Sequence, residues 1–369
     1  MVDLFEEVES LSELENFKAR YQEEEGDPIL TQSPPVDVVA FTEQRSCADI
    51  YRMYEKRQLD IHPDFQRGEV WTNRAQTLFV DSLLKQLPIP SMCICLDIHT
   101  QKRIVIDGLQ RITSIVKFLN KNKDWKLALV DDVDKILSGQ KVSELKENNA
   151  EAYEIIENVT IPITVIRCDY SKKEHKQYIF QIFYRLNSGG NKLYNQEIRN
   201  CIYNGSFNTL LKSLARSASW LEFLNTTVNK VDRSRSAHEE RLLRFFAFYH
   251  NYQNYSGKLA SFLNDYMEAH QNIDNDTEQQ FTNLLEETLV IANKIQNRSA
   301  SKNVIEAILV GVAKNKEYLK DIDNDVLNDK YNHLMSEPEF SAEALKEGLG
   351  ATDKLKGRIS KAIQYFGND

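Results

Sequence analysis

The sequence predicts an α+β amino-terminal domain followed by an all-helical carboxy-terminal domain. Between residues 37 and 200, short apolar runs of strand type alternate with amphipathic helical periods. Beyond about residue 200 the strand signals stop, and EERLLRFFAFYHNY, KLASFLNDYMEAH, FTNLLEETLVIANKI and NVIEAILVGVAKN follow as helical periods separated by polar loops. The length, 369 residues, fits two or three domains of ordinary size.

The elements follow in order. Residues 1–36 form an acidic arm and linker: Leu11, Leu14 and Phe17 recur at helical spacing, and DPILTQSPP is a polar, proline-containing connector. In RAQTLFVDSLLKQL, Phe79, Leu83 and Leu87 fall at i, i+4 and i+8, a helix stopped by Pro88. SMCICLD and RIVID are short apolar strands, and Ile112, Ile115, Val116 and Leu119 then mark an amphipathic helix. The stretch 121–158 is polar and charged and reads as an insertion. VTIPITVIRC alternates like a strand, and KEHKQYIFQIFYRL puts Ile179, Ile182, Phe183 and Leu186 on one helix face. The domains so delimited are 1–36, 37–200 and 201–369.

Composition narrows the function classes. No apolar run approaches the roughly 18 residues of a membrane span. The start, MVDLFEEVES, lacks the basic region of a secretory signal. The cysteines, at 47, 93, 95, 168 and 201, show no zinc spacing, and Cys93 and Cys95 alternate with Met92, Ile94 and Leu96 as strand thiols. A reduced, cytoplasmic compartment is expected. Residues 1–36 hold ten acids against Lys18 and Arg20, so −8 of the net −9 sits in the arm and the remaining chain is close to neutral. Such a balance argues against non-specific coating of DNA and leaves room for a local basic patch.

Three segments concentrate chemistry. In RIVIDGLQRITSIVKFL a strand ends at Asp107, Gly108 turns the chain, and a helix begins near Leu109, so Gln110 and Arg111 fall in its first turn. Free backbone N–H groups and the positive dipole end favour an anion there. Arg111 opposes that dipole unless it pairs with Asp107 or a bound phosphate compensates it. IHPDFQRGEVWTNRAQ gathers Phe65, Gln66, Arg67, Glu69, Trp71 and Arg74 in a loop, where an arginine can grip phosphate bidentately and Trp71 can anchor the loop to the core. FYRLNSGGNKLYNQEIRN ends one helix at Arg185-Leu186-Asn187, turns at Ser188-Gly189-Gly190, and starts another.

Together DFQRGEVW, VDSLL with PIP, IDGLQR before an apolar helix, YRLNSGG with QEIRN, and HEERLLRFFAFYHNY resemble the GmrSD-type N-terminal domain family, the DGQQR-motif family, from about residue 37 to the C-terminus. The resemblance implies a ParB/sulfiredoxin-like α+β fold followed by helices. It implies a role in bacterial defence against phage and foreign DNA, with binding and hydrolysis of a nucleoside triphosphate coupled to a nuclease. Asp107, Gly108, Gln110 and Arg111 would match the DG-x-QR signature, Gln66 and Arg67 the FQR, and Arg185, Asn187 and Gly189 the RxNxGG. On that reading Asp107, Gln110 and Arg111 are catalytic. Nucleotide is held by Gln66, Arg67, Gly108, Arg111, Arg185, Asn187 and Gly189, and Asp107 is the candidate Mg²⁺ residue. Two departures matter: Leu109 stands where the family carries Gln, which puts hydrolysis in doubt, and no His-rich nuclease motif appears, so cutting would need a partner nuclease or effector. A homo-oligomer is compatible with this reading.

Two rival readings remain at this point, beside a third with less in the residues to support it, a metal-dependent nuclease in this chain itself, for which no paired carboxylate or His cluster with ligand spacing appears beyond Asp107 and Asp64. Arg233, Arg235, Arg241 and Arg244 cluster around SRSAHEERLLR and would serve a nucleotide-independent DNA binder, unless Glu239 and Glu240 pair with them along the helix. A protein-interaction module with a degenerate DGLQR site is the other.

Overall fold

A computed structural model describes residues 33–61, 71–186, 194–227, 235–296, 301–345 and 350–368. The chain divides into two compact units at residues 193/194, a few residues before the boundary read from the sequence. The helix Asn195–Ile202 belongs to the second unit, where it packs against Arg235–Asn251 and Leu259–Ala269.

The first unit is built on a five-stranded mixed sheet in the order β1 (Val39–Ser46), β5 (Thr160–Cys168), β3 (Met92–Asp97), β4 (Arg103–Asp107), β2 (Leu59–Asp60). β1 runs antiparallel to β5, β5 parallel to β3, β3 antiparallel to β4, and β4 parallel to β2. Alternation along the central strands sorts their side chains between two faces. Met92, Ile94, Leu96, Val105, Ile161, Ile163 and Val165 join one buried cluster with apolar residues of the helices Cys47–Glu55, Asn73–Leu84, Leu109–Leu119 and Ala150–Asn158. On the other face Cys93, Cys95, Ile106, Ile166 and Cys168 are also buried, and the helix Lys173–Leu186 packs against β4. Sheet and helices in the proportions seen here make the chain a mixed α+β protein.

Three sequence expectations change, the first being that the helix read through Leu87 ends at Leu84 and leaves Leu87 exposed. The stretch 121–158 is core, not insertion: Trp125, Leu127, Val130, Val133, Leu137, Val142, Leu145, Tyr153 and Ile156 all join the main cluster. Its apolar residues are spaced too irregularly for a single period, so the charged residues between them dominate the sequence signal. The buried face of Lys173–Leu186 is also rotated. It consists of His175, Lys176, Ile179, Phe180 and Phe183, while Leu186 is exposed. His175 tolerates burial because both ring nitrogens are used. Nδ1 accepts from Asp169 N–H at 2.9 Å, which fixes the proton on Nε2, and Nε2 donates to Asp37 at 2.9 Å. The Lys172 ammonium first and the His175 ring second hold the Asp37 carboxyl down to about 2, and they tie the entry of β1 to the helix.

The second unit contains only helices among its described residues. Lys302–Lys314 and Thr352–Phe366 cross so closely at Gly311 that a Cβ there would lie 2.8 Å from the Ala362 backbone. This unit also buries a set of charges. Arg199 Nε donates to Asn264 at 2.8 Å, Asn200 to Glu239 at 2.6 Å, and Arg244 Nε to Glu306 at 2.5 Å. Buried charges persist only when paired and hydrogen-bonded, because each loses its hydration. No helix among the described residues is long and apolar enough to cross a membrane.

The same interior sets a pH dependence. Burial, reinforced by the Arg241 charge, pushes the His238 imidazole down to about 4. The unfolded chain takes that proton near the ordinary value of 6.5, so the neutral ring contributes fully above about pH 6.5. Its contribution, about 3 kcal/mol in all, is lost as pH falls from there toward 4. Urea unfolding between pH 7.5 and 4 should show that decline, and His238→Gln should flatten it.

Candidate functional site

The centre of the site is the hand-over from β4 to the helix Leu109–Leu119. Gly108 takes φ +93°, the left-handed region open to glycine, and its missing Cβ would lie 2.6 Å from Met92 Cγ. Sterics therefore demand glycine twice at this position. Just before it the ladder is irregular: Cys93 pairs with Asp107, and the register shifts between Cys93 and Ile94. A bulge of this kind ends the pairing and re-aims the strand end. Asp107 is thereby released at 43% side-chain exposure.

The helix start has no side-chain cap and no acid in its first turn. Its leading N–H groups thus keep their positive end uncompensated by the usual devices. Arg111, one turn in, is braced on both sides: Nη2 donates to Asp107 Oδ2 at 2.8 Å and Nη1 to the Pro90 carbonyl. Only 14% of its side chain is exposed. A guanidinium has five N–H donors, so those two bonds leave Nε and one hydrogen on each terminal nitrogen. Asp107 keeps Oδ1 as an acceptor. The result is a fixed guanidinium, a carboxylate oxygen and uncapped amides within one turn, a set suited to an anion accompanied by a cation.

The neighbours of Arg111 have other employment. Leu109 packs against the main hydrophobic cluster. Gln110 Oε1 accepts the Trp71 N–H at 3.1 Å, and the Trp71 ring sits edge-on to Phe79 at 5.7 Å. Trp71 thus anchors its loop to the core, and Gln110 fastens it to the helix start. Cys93, beside Asp107, is no nucleophile: burial, then the Asp107 charge, pushes its thiol up to about 12. Among the described residues no group of His, Cys, Asp and Glu is arranged to hold a metal by itself.

The structure thus brings Asp107, Gly108, Gln110 and Arg111 together. Arg185 is exposed at the end of Lys173–Leu186. Gln66, Arg67, Asn187 and Gly189 lie outside the described residues, as do Arg233 and the Arg235 side chain. Arg244 is deeply buried between Glu306, at 2.5 Å, and Glu240, at 3.7 Å, and offers no surface to DNA. The pairing along the helix that Glu240 allowed is what the fold uses. Arg241 is half-buried. Sequence reasoning missed the Pro90 carbonyl and the Trp71 N–H, because both act through the backbone. The PIP and GEVW motifs were the only trace of them.

Residues 48–204 match the model of the family described as GmrSD restriction endonuclease, N-terminal domain. No curated protein and no solved structure matches the chain.

Gly108→Ala should destabilise the first unit by about 2–4 kcal/mol, combining left-handed strain with overlap on Met92. In a double-mutant cycle read by urea unfolding, Met92→Ala should recover the overlap part and leave the backbone part.

Proposed function

We propose that this chain, in which residues 48–204 are a GmrSD-type N-terminal domain, is the nucleotide-responsive component of a bacterial restriction or anti-phage system and acts with a partner effector. The match of residues 48–204 to a restriction endonuclease N-terminal domain supports the restriction-system part of this reading. The nucleotide reading is ours, and one observation carries it. The Leu109–Leu119 helix begins uncapped after a left-handed glycine, with Arg111 held rigid beside it by Asp107 and Pro90. Preorganised donors at a helix start favour a phosphate chain, since nothing needs to reorganise when it arrives. A ParB/sulfiredoxin-like ancestry for the sheet of residues 32–193 belongs to the same proposal.

These residues fit a nucleoside triphosphate with Mg²⁺. Arg111 and the first-turn amides would receive phosphate oxygens, and Gly108 keeps the approach clear of a side chain. Asp107 Oδ1 would hold Mg²⁺ directly or through water, in the manner of single-carboxylate Mg²⁺ sites. The metal would offset the phosphate charge that Asp107 faces. By resemblance, Gln66 and Arg67 would add contacts from one loop and Arg185, Asn187 and Gly189 from another. Leu109 offers no polar atom, and the Gln110 oxygen is already occupied by Trp71. Among the described residues, orientation of an attacking water therefore falls to Asp107, and we infer binding with slow turnover. The DNA-binding alternative gains no support from Arg244, whose guanidinium is consumed internally.

Titration of the purified chain with ATP, GTP, CTP and UTP plus Mg²⁺, by calorimetry with phosphate release followed in parallel, tests this reading. Arg111→Ala should weaken binding ten- to a hundredfold, the share of a charge-assisted phosphate contact of about 1.5–3 kcal/mol, with melting little changed. Equal affinity in the variant, or no binding by the parent chain, would overturn the assignment.

A further inference from the structure

Asp107 stands at one end of a row that crosses the sheet. Cys93 of β3 lies opposite Asp107 on one side and opposite Thr164 of β5 on the other. Met92, Ile94, Ile163 and Val165, their neighbours in sequence, join the main core, so alternation turns Cys93 and Thr164 to the opposite face. Beyond Asp107 the row carries no charge, because burial keeps the Cys93 thiol protonated. Two strand spacings, about 10 Å, separate the Asp107 and Thr164 backbones.

Ser91 joins this row to the phosphate site. It follows Pro90, whose carbonyl braces Arg111, and its Oγ lies 3.1 Å from Thr164 Oγ1. Ser91 Oγ also donates to the Met92 carbonyl at 3.2 Å. Its one hydrogen is then spent, so Thr164 donates to Ser91, and the two hydroxyls are left with lone pairs alone. Ser91 is exposed and Thr164 half-buried. Such a pair calls for two hydrogen donors side by side. Around the rest of the helix start, the described residues are committed elsewhere: Met92 closes over Gly108, Leu109 packs into the core and Gln110 is tied to Trp71.

We propose that Ser91 and Thr164 form the sugar subsite of the phosphate site at Arg111, and that the ligand is therefore a ribonucleotide, told from its deoxy counterpart by its paired 2′ and 3′ hydroxyls. This rests on the nucleotide reading given above. With the outer phosphates at Arg111 and the helix start, an extended nucleotide crosses the neutral row and brings its sugar over Thr164. The two ribose hydroxyls donate, one to each oxygen, and a 2′-deoxyribose leaves one acceptor unmatched. The order of groups along the site, charged donors and then an accepting hydroxyl pair, is the order of phosphates and diol along the ligand. The phosphodiester backbone of DNA would set its own acceptors against this pair and gain nothing there.

Calorimetric titration of the full chain with Mg²⁺ compares the tightest binder among ATP, GTP, CTP and UTP with its 2′-deoxy form and with inorganic tripolyphosphate. The ribonucleotide should bind roughly three- to tenfold tighter than the deoxy form, the range of one neutral hydrogen bond. Ser91→Ala and Thr164→Val should each weaken the ribonucleotide by a similar factor, with tripolyphosphate affinity and melting near those of the parent. Valine is chosen because it keeps the branched shape that suits a strand. The double variant should bind the ribo and deoxy forms alike. The sugar subsite alone is overturned, and the phosphate site kept, if the parent binds both forms equally or if the preference survives the double variant. It is overturned as well if either variant weakens tripolyphosphate as much as the ribonucleotide, since the two hydroxyls would then serve the phosphates or the fold. No binding of any of the three by the parent would instead overturn the nucleotide reading itself.

Discussion

The left-handed turn at Gly108 decides where everything at the candidate site stands. It lets β4 stop at Asp107 and the next helix start two residues later, so that Asp107 and Arg111 sit one helical turn apart and within bonding distance. The steric demand is local, but its effects are not. Met92 closes over the glycine from β3, Pro90 reaches Arg111 through its carbonyl, and Gln110 holds the loop that ends at Trp71. Separate stretches of chain are thereby registered on one backbone conformation. An arginine that would otherwise work against the helix dipole is neutralised by Asp107 and becomes a rigid donor.

The second unit manages charge differently. Arg199, Glu239, Arg244 and Glu306 are all buried, and the bonds Arg199–Asn264, Asn200–Glu239 and Arg244–Glu306 each join two helices. Replacing such networks by apolar residues is often neutral for stability, whereas breaking one partner is costly. Their physical effect is to make one helix arrangement far better than its alternatives, since a slipped helix would strand a charge. QEIRN and HEER, which resemble family motifs, thus have a packing role that stands apart from ligand contact.

Much of the fold was legible in the sequence, because period and punctuation agree where elements are amphipathic. Asn73–Leu84, Leu109–Leu119 and the strands around them fall where Phe79, Ile112 and the Cys93–Cys95 alternation put them. Residues 121–158 were misread because their core contacts come from scattered apolar residues in loops and short helices. The buried face of Lys173–Leu186 was misread because His175 and Lys176 count as polar until their partners are known. At the site, the side chains Asp107, Gly108 and Arg111 were legible from their order alone. The backbone partners at Pro90 and Trp71 were not, since a carbonyl or an N–H carries no residue identity. The fate of Arg244 required knowing that Glu306, sixty-two positions away in sequence, arrives beside it.

The bond from Trp71 to Gln110 gives the molecule an optical property. The chain has three tryptophans; Trp125 and Trp220 are buried, and Trp71 alone is half-buried, at the rim of the site. Its indole environment depends on a backbone bond to the residue next to Arg111. Any molecule that draws the Gln110 amide away frees the Trp71 backbone and changes the water around the ring. The intrinsic emission of the unlabelled protein therefore carries a signal of whether that turn is occupied.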